Sequence, residues 1–202
     1  MRDRVHTSRC MRRLSVVVGL CSLTIGVGLA DAHPNERLTK DQIRAAEKAA
    51  ETSLPAVDKA AAKKCTALAD DTVSDLATKA TCYRAAGALG LAIAMWKEVA
   101  RRDQHSPEDM EARRALGPAY EAAGRFADAA NAHDEYALRF AGEADAADHL
   151  IRAICTWRQL GLETDAERGF RFLTRKKPKR DSATLCDTVR PIVVPPAPSP
   201  AS

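Results

Sequence analysis

The chain has 202 residues, a formal net charge of +4 and only 4% aromatic residues. That length is one domain's worth and long enough to bury a core, which with so few rings must be built from Ala, Leu, Val and Ile. No stretch alternates as a half-buried strand does, and alanine interleaved with charge favours closely packed helices, so the sequence predicts an all-α protein.

Residues 1–32 read as a secretory signal peptide rather than as part of that fold. "MRDRVHTSRCMRR" is basic, "LSVVVGLCSLTIGVGLA" is uncharged, and Ala30, Asp31 and Ala32 form a small-x-small cleavage site, so His33 is the expected first mature residue. Met11 is an alternative start, and Arg12 with Arg13 an alternative twin-arginine signal in poorly matching surroundings. Leu14 to Ala30 spans seventeen uncharged residues, just short of a spanning helix, which makes an uncleaved membrane anchor the rival reading. A lipoprotein signal at Cys21 is disfavoured by the bulky Leu20 before it and the apolar run after it. Cleavage takes five of the 31 basic residues and two of the 27 acidic ones, leaving 26 against 25 and a charge of +1. So balanced a surface gives no reason to expect nucleic acid as a partner.

Residues 33–72 form an expected N-terminal helical segment. Its Ala-, Lys- and Glu-rich sequence, broken by "TSLPAV", predicts helices over about 38–52 and 55–69, the second pairing with a helix over 72–86. Removal of residues 1–32 leaves four cysteines, Cys65, Cys82, Cys155 and Cys186, an even count that reads as two disulfides in an exported chain. Four cysteines allow three pairings. A hairpin turning near Asp70–Thr72 sets Cys65 and Cys82 at similar heights, so Cys65–Cys82 and Cys155–Cys186 is the preferred one.

From residue 73 the chain repeats itself at a stride of thirty-seven. Gly87, Gly124 and Gly161 fall in one column, and Tyr83, Tyr120 and Trp157 in another. Ala92, Ala129 and Ala166 share a third, Trp96, His133 and Phe170 a fourth, and Val99, Tyr136 and Leu173 a fifth. Each unit reads as two helices. A glycine ends the first, and in the second a small Ala admits the facing helix while the large residue one turn on fills the gap. A lone hairpin cannot cover its own apolar face, so such units stack. The expected units run over about 73–109, 110–146 and 147–178. "SPED" (Ser106 to Asp109) starts a helix with an N-cap Ser followed by Pro. "RDSATLCDTVR" predicts a capping helix within 179–190, and "PIVVPPAPSPAS" an extended, disordered tail over 191–202.

The middle unit resembles the tetratricopeptide repeat at Leu116, Gly117, Tyr120, Gly124, Phe126 and Ala129. The third unit keeps Trp157, Gly161, Ala166, Phe170 and Pro178; the first keeps Tyr83, Gly87, Ala92 and Trp96, with Ala80 at the family's first Gly. The departures are a stride three residues longer than the family's, His133 in place of the usual ring, and Pro118 inside a helix, where it removes a backbone bond and predicts a kink. The resemblance implies a short α-solenoid of stacked antiparallel hairpins whose first helices line a concave groove. On that groove it places Thr81, Arg84, Arg114, Glu121, Arg158 and Gln159 as candidate binding residues. The lysine and asparagine pattern with which some members clamp a peptide carboxylate is not evident.

Other chemistry is weak. His33, His105, His133 and His149 show no metal-ligand spacing, and in "DAADH" the acids Asp145 and Asp148 suit a helix start without a metal. His133 in a column of rings reads as a packed, hydrogen-bonded core histidine. No nucleophile elbow or phosphate loop occurs, and Ser106 beside His105 is explained by capping. The basic run Arg175 to Arg180 fits contact with anionic envelope material less well than a solvated helix end. The sequence therefore predicts no catalysis, cofactor or metal. It predicts an exported scaffold for a protein or peptide in the bacterial periplasm or cell envelope, not inserted in the membrane after cleavage. The rival is a binder of small molecules or glycans using the same groove as a closed pocket lined by rings.

Overall fold

The structure, a computed structural model, describes residues 36–176 and 184–195. The expected signal peptide with its cut after Ala32, residues 177–183 with Pro178 and most of the basic run, and the tail end 196–202 lie outside the described residues. Helices are the only extended elements among the described residues. In chain order they are α1 (Lys40–Ser53), α2 (Lys59–Thr66), α3 (Val73–Ala85), α4 (Leu89–Arg102), α5 (Pro107–Ala122), α6 (Phe126–Arg139), α7 (Ala146–Gln159) and α8 (Glu163–Lys176). Helices α3 to α8 pack each on the next, and α3 also meets α5, so three hairpins stack in chain order into a solenoid-like all-α fold.

The five sequence columns are the mortar of that stack. Tyr83, Tyr120 and Trp157 are all buried, as are Ala92, Ala129 and Ala166. Trp96 and His133 are buried in their column, with Phe170 packed at the edge of the core around Trp157. Val99, Tyr136 and Leu173 complete the pattern. The larger apolar side chains among them each contribute about 1.5–3 kcal/mol by leaving water.

Local chemistry starts and stops the helices. Thr39 with Gln42 and Thr72 with Asp75 form capping boxes at α1 and α3, while Asp58 and Ser106 cap α2 and α5. Helix α5 runs unbroken through Pro118. The hairpin turns are one motif built three times. Gly87, Gly124 and Gly161 take φ of +73°, +70° and +72°, the left-handed region where a side chain is penalised. The N–H of each following residue reaches back to the carbonyl of the ring residue: Ala88 to Tyr83, Arg125 to Tyr120 and Leu162 to Trp157, at 2.8–2.9 Å. This is a Schellman end, so the fixed ring-to-glycine spacing serves both the core and the turn.

The N-terminal segment does something the sequence did not announce. It crosses all three turns in reverse order as a strap. Arg37 lies over Gly161, Glu47 and Ala50 of α1 lie over Gly124, and Pro55 to Val57 lie over Gly87. Its ends are tied by Leu38 N–H to the Gln159 carbonyl at 2.8 Å and Asp58 N–H to the Ala86 carbonyl at 3.0 Å. Because residues 55–57 belong to the strap, α2 starts only at Lys59 and is shorter than expected. It covers the open side of α3 through the Cys65–Cys82 disulfide and through Lys79, which donates to the Leu68 carbonyl and Asp70.

The C-terminal expectations need two corrections. Residues 184–190 form turns rather than the expected capping helix, although Leu185 and Cys186 are buried and Cys186 is joined to Cys155. Residues 191–195 are not a disordered tail. Ile192 and Val194 are buried with Leu38, Ala46 and Phe126, because they carry apolar side chains onto the same edge that the strap only partly covers. Two disulfides are the chemistry of an oxidising compartment. No helix among the described residues is long and apolar enough to cross a membrane.

Candidate binding cleft

Between the first two units, α3, the start of α4 and the outer face of α5 leave an open cleft of about 420 Å³. Its floor is Leu89, Ala115, Ala119 and Ala122, and its walls carry Arg84, Glu111, Arg114 and Pro118. Small alanines let the helices sit close at the core while leaving relief at the surface. Pro118 has no N–H, so the carbonyl of Arg114, four residues earlier, has no helical donor. No aromatic ring lines the cleft.

The two arginines differ. Arg84 is exposed, with its guanidinium 5.6 Å from the Trp96 ring centre, and among the described residues no carboxylate pairs with it. Arg114 is held from several sides. Its Nε donates to the Tyr136 hydroxyl at 3.0 Å and lies 2.9 Å from Asp145 Oδ2, and its Nη1 is 2.5 Å from Glu111. Its Nη2 is 3.6 Å from Glu143. Tyr136 in turn donates to Asp145 at 2.7 Å. Burial, then the hydrogen bond to Asp145, push the Tyr136 phenol up to about 12.

The structure brings together only part of the expected groove. Arg84 and Arg114 share the cleft. Glu121 sits further along α5 and turns toward α7, 3.1 Å from His133 Nε2 and 3.2 Å from Arg152. Burial opposes its charge, but the hydrogen bond from His133 and the nearby Arg152 outweigh it and hold the carboxyl below its ordinary value. Thr81 is exposed and returns its hydroxyl to the Ala77 carbonyl at 3.0 Å. Arg158 lies in the third unit, over Phe170 and 4.0 Å from Cys186 Sγ. Gln159 is a correction: at 2% exposure it is interior. Its side-chain oxygen accepts from Ile192 N–H at 3.2 Å and its carbonyl from Leu38, so it clasps the two chain ends instead of facing a groove.

Sequence reasoning missed Tyr136, Asp145, His149 and Arg152 as partners of this region. Tyr136 was legible only as a packing column, and His149 is sixteen residues from the His133 it contacts, on a different helix. His133 is indeed a buried, hydrogen-bonded core histidine. Among the described residues no group of His, Cys, Asp and Glu is arranged to hold a metal ion. A second cavity, of about 100 Å³, lies between α6, α7 and α8 and is lined mainly by Ala, Leu150, Phe172 and Leu173. No protein-family model, curated protein or solved structure matches this chain.

Proposed function

We propose that this protein is an exported, tetratricopeptide-like scaffold of the bacterial periplasm or cell envelope that holds a segment of another protein in the cleft between its first two units. The open cleft carries this reading: an apolar floor flanked by an exposed arginine that no carboxylate among the described residues pairs with. Such a surface is preformed, so binding costs little ordering on the scaffold's side. Arg84 offers a charge-assisted bond to an acidic group. The two disulfides fit the export reading, and the uncharged run before residue 33 is its signal. The rival small-molecule or glycan pocket requires enclosure by rings, and this cleft is open and without them.

The test is selection of a displayed-peptide library on the disulfide-intact protein, followed by affinity measurement on a selected peptide. Arg84→Glu should weaken binding by about tenfold or more, since a charge-assisted hydrogen bond is worth about 1.5–3 kcal/mol. Arg44→Glu, on an exposed face of α1, should not. Equal affinity of the wild type and the Arg84 variant for the selected peptide would move the site elsewhere.

A further inference from the structure

The stride of thirty-seven residues gives the junction between the first two units a counterpart between the last two, and the two are filled differently. Where α4, α5 and α6 meet, the space is taken by the buried side chain of Arg113. Its Nε donates to Asp109 Oδ1 at 2.6 Å, its Nη2 to the Ala100 carbonyl at 3.0 Å, and its Nη1 to Glu135. Asp109 is fully buried, so a long cation and the acid that makes its burial possible plug this junction together.

One stride on, where α6, α7 and α8 meet, the ionic plug is gone. Leu150 stands for Arg113, Ala146 for Asp109, Phe172 for Glu135 and Ala137 for Ala100, while Ala147 takes the place of Met110. Leucine reaches less far than arginine, and alanine less far than methionine. All five of these residues line the cavity of about 100 Å³. Among the described residues, Glu143 is the single lining side chain with a hydrogen-bonding group. It is exposed, with its carboxylate 3.6 Å from Arg114.

We propose that this cavity is a binding site for a small uncharged apolar molecule, an aromatic ring or a branched aliphatic chain, seated where the earlier junction carries its own arginine. The volume admits about one six-membered ring and is too small for a helix or a length of extended chain. Water gains little there, because it needs two to four polar partners and the walls are alanine, leucine and phenylalanine. An apolar occupant restores to those walls the dispersion contacts that an empty space forfeits. Ala141 and Ala144 on the lining are exposed, so entry requires no unfolding. The site is separate from the cleft between the first two units, and neither needs the other.

The experiment is a titration of the disulfide-intact protein with benzene, followed by NMR at the methyl groups of Leu150 and Leu173. Both should shift saturably, while the methyls of Leu116, in the core of the first two units, stay in place. The melting temperature should rise with benzene concentration, as it does for any ligand of the folded state. Ala147→Met restores the bulk that the counterpart position carries, and should abolish both the shifts and the rise. Ala144→Leu, a change at an exposed position that leaves the core alone, should do the same. Wild-type methyls that do not shift saturably would make the cavity a packing gap and overturn the proposal, as would shifts of undiminished size in both variants. Displacement of benzene by a peptide selected on the protein would give the cavity to a partner's side chain and overturn the small-molecule assignment. None of these outcomes depends on Arg84, so the cleft reading stands or falls by its own test.

Discussion

Replacing each turn glycine by alanine should cost unequal amounts, in an order set by the strap. All three share the same left-handed φ, so the conformational cost of a Cβ is common to them, about 1–2 kcal/mol. The surroundings differ. At Gly87 the nearest atom to a new Cβ is the Ala56 carbonyl oxygen at 3.4 Å, an ordinary contact. At Gly161 it is the Arg37 side chain at 2.4 Å, the far end of an exposed, flexible chain that can swing aside. At Gly124 it is the Glu47 carbonyl oxygen at 2.8 Å and the Ala50 Cβ at 2.9 Å, parts of α1 that cannot move alone. Overpacking of that kind adds about 1–3 kcal/mol. Gly124→Ala should therefore cost roughly 2–5 kcal/mol, against about 1–2 for Gly87→Ala and Gly161→Ala. Urea denaturation of the three oxidised variants measures this. Three equal losses would mean that α1 does not lie on the middle turn, and the strap as described would be wrong.

Other substitutions probe the seam and the staples. Stability should fall on acidification: folded His149 resists the proton that the unfolded chain accepts at its ordinary 6.5, so the unfolded state binds more protons from pH 6.5 down to about 4. At 1.36 kcal/mol per pH unit the full loss is roughly 3 kcal/mol. About 2 of that falls above pH 5, before Glu121 and Asp145 begin to lose their own contribution. Denaturation midpoints should show that slope in the wild type and not in His149→Gln; parallel curves would refute it. Gly117→Ala drives a methyl into the His133 ring and should destabilise by about 1–3 kcal/mol. Gly90→Ala, facing open space in α4, should stabilise by about 0.5–1 kcal/mol, and thermal melts of both variants beside the wild type measure the pair. The bridges close separations of 17 and 31 residues, so Cys65→Ser with Cys82→Ser should cost about 3 kcal/mol and Cys155→Ser with Cys186→Ser slightly more.

What the sequence disclosed and what it hid have one physical cause. Periodic information is local: Tyr120, Gly124 and Ala129 each act within their own hairpin, so a stride of thirty-seven exposes them, and Cys65–Cys82 follows from a hairpin turn. The strap is aperiodic. Nothing in Arg37, Glu47 or Ala56 says that they will meet three glycines in reverse order, and a glycine needed for φ looks the same as one needed for room. Gly124 is needed for both. The same limit governed the groove. A rule that takes the residue after each ring assumes that all units present the same face. Yet Glu121 turns to His133 and Arg152 on the α7 side, Arg158 packs beside Cys186, and Gln159 is consumed by the two chain ends. The three units are not interchangeable, because each meets different neighbouring segments. Arg84 keeps its charge available for a related reason. Its unit is closed off by α2, the disulfide and the buried Lys79, none of which brings a carboxylate to it.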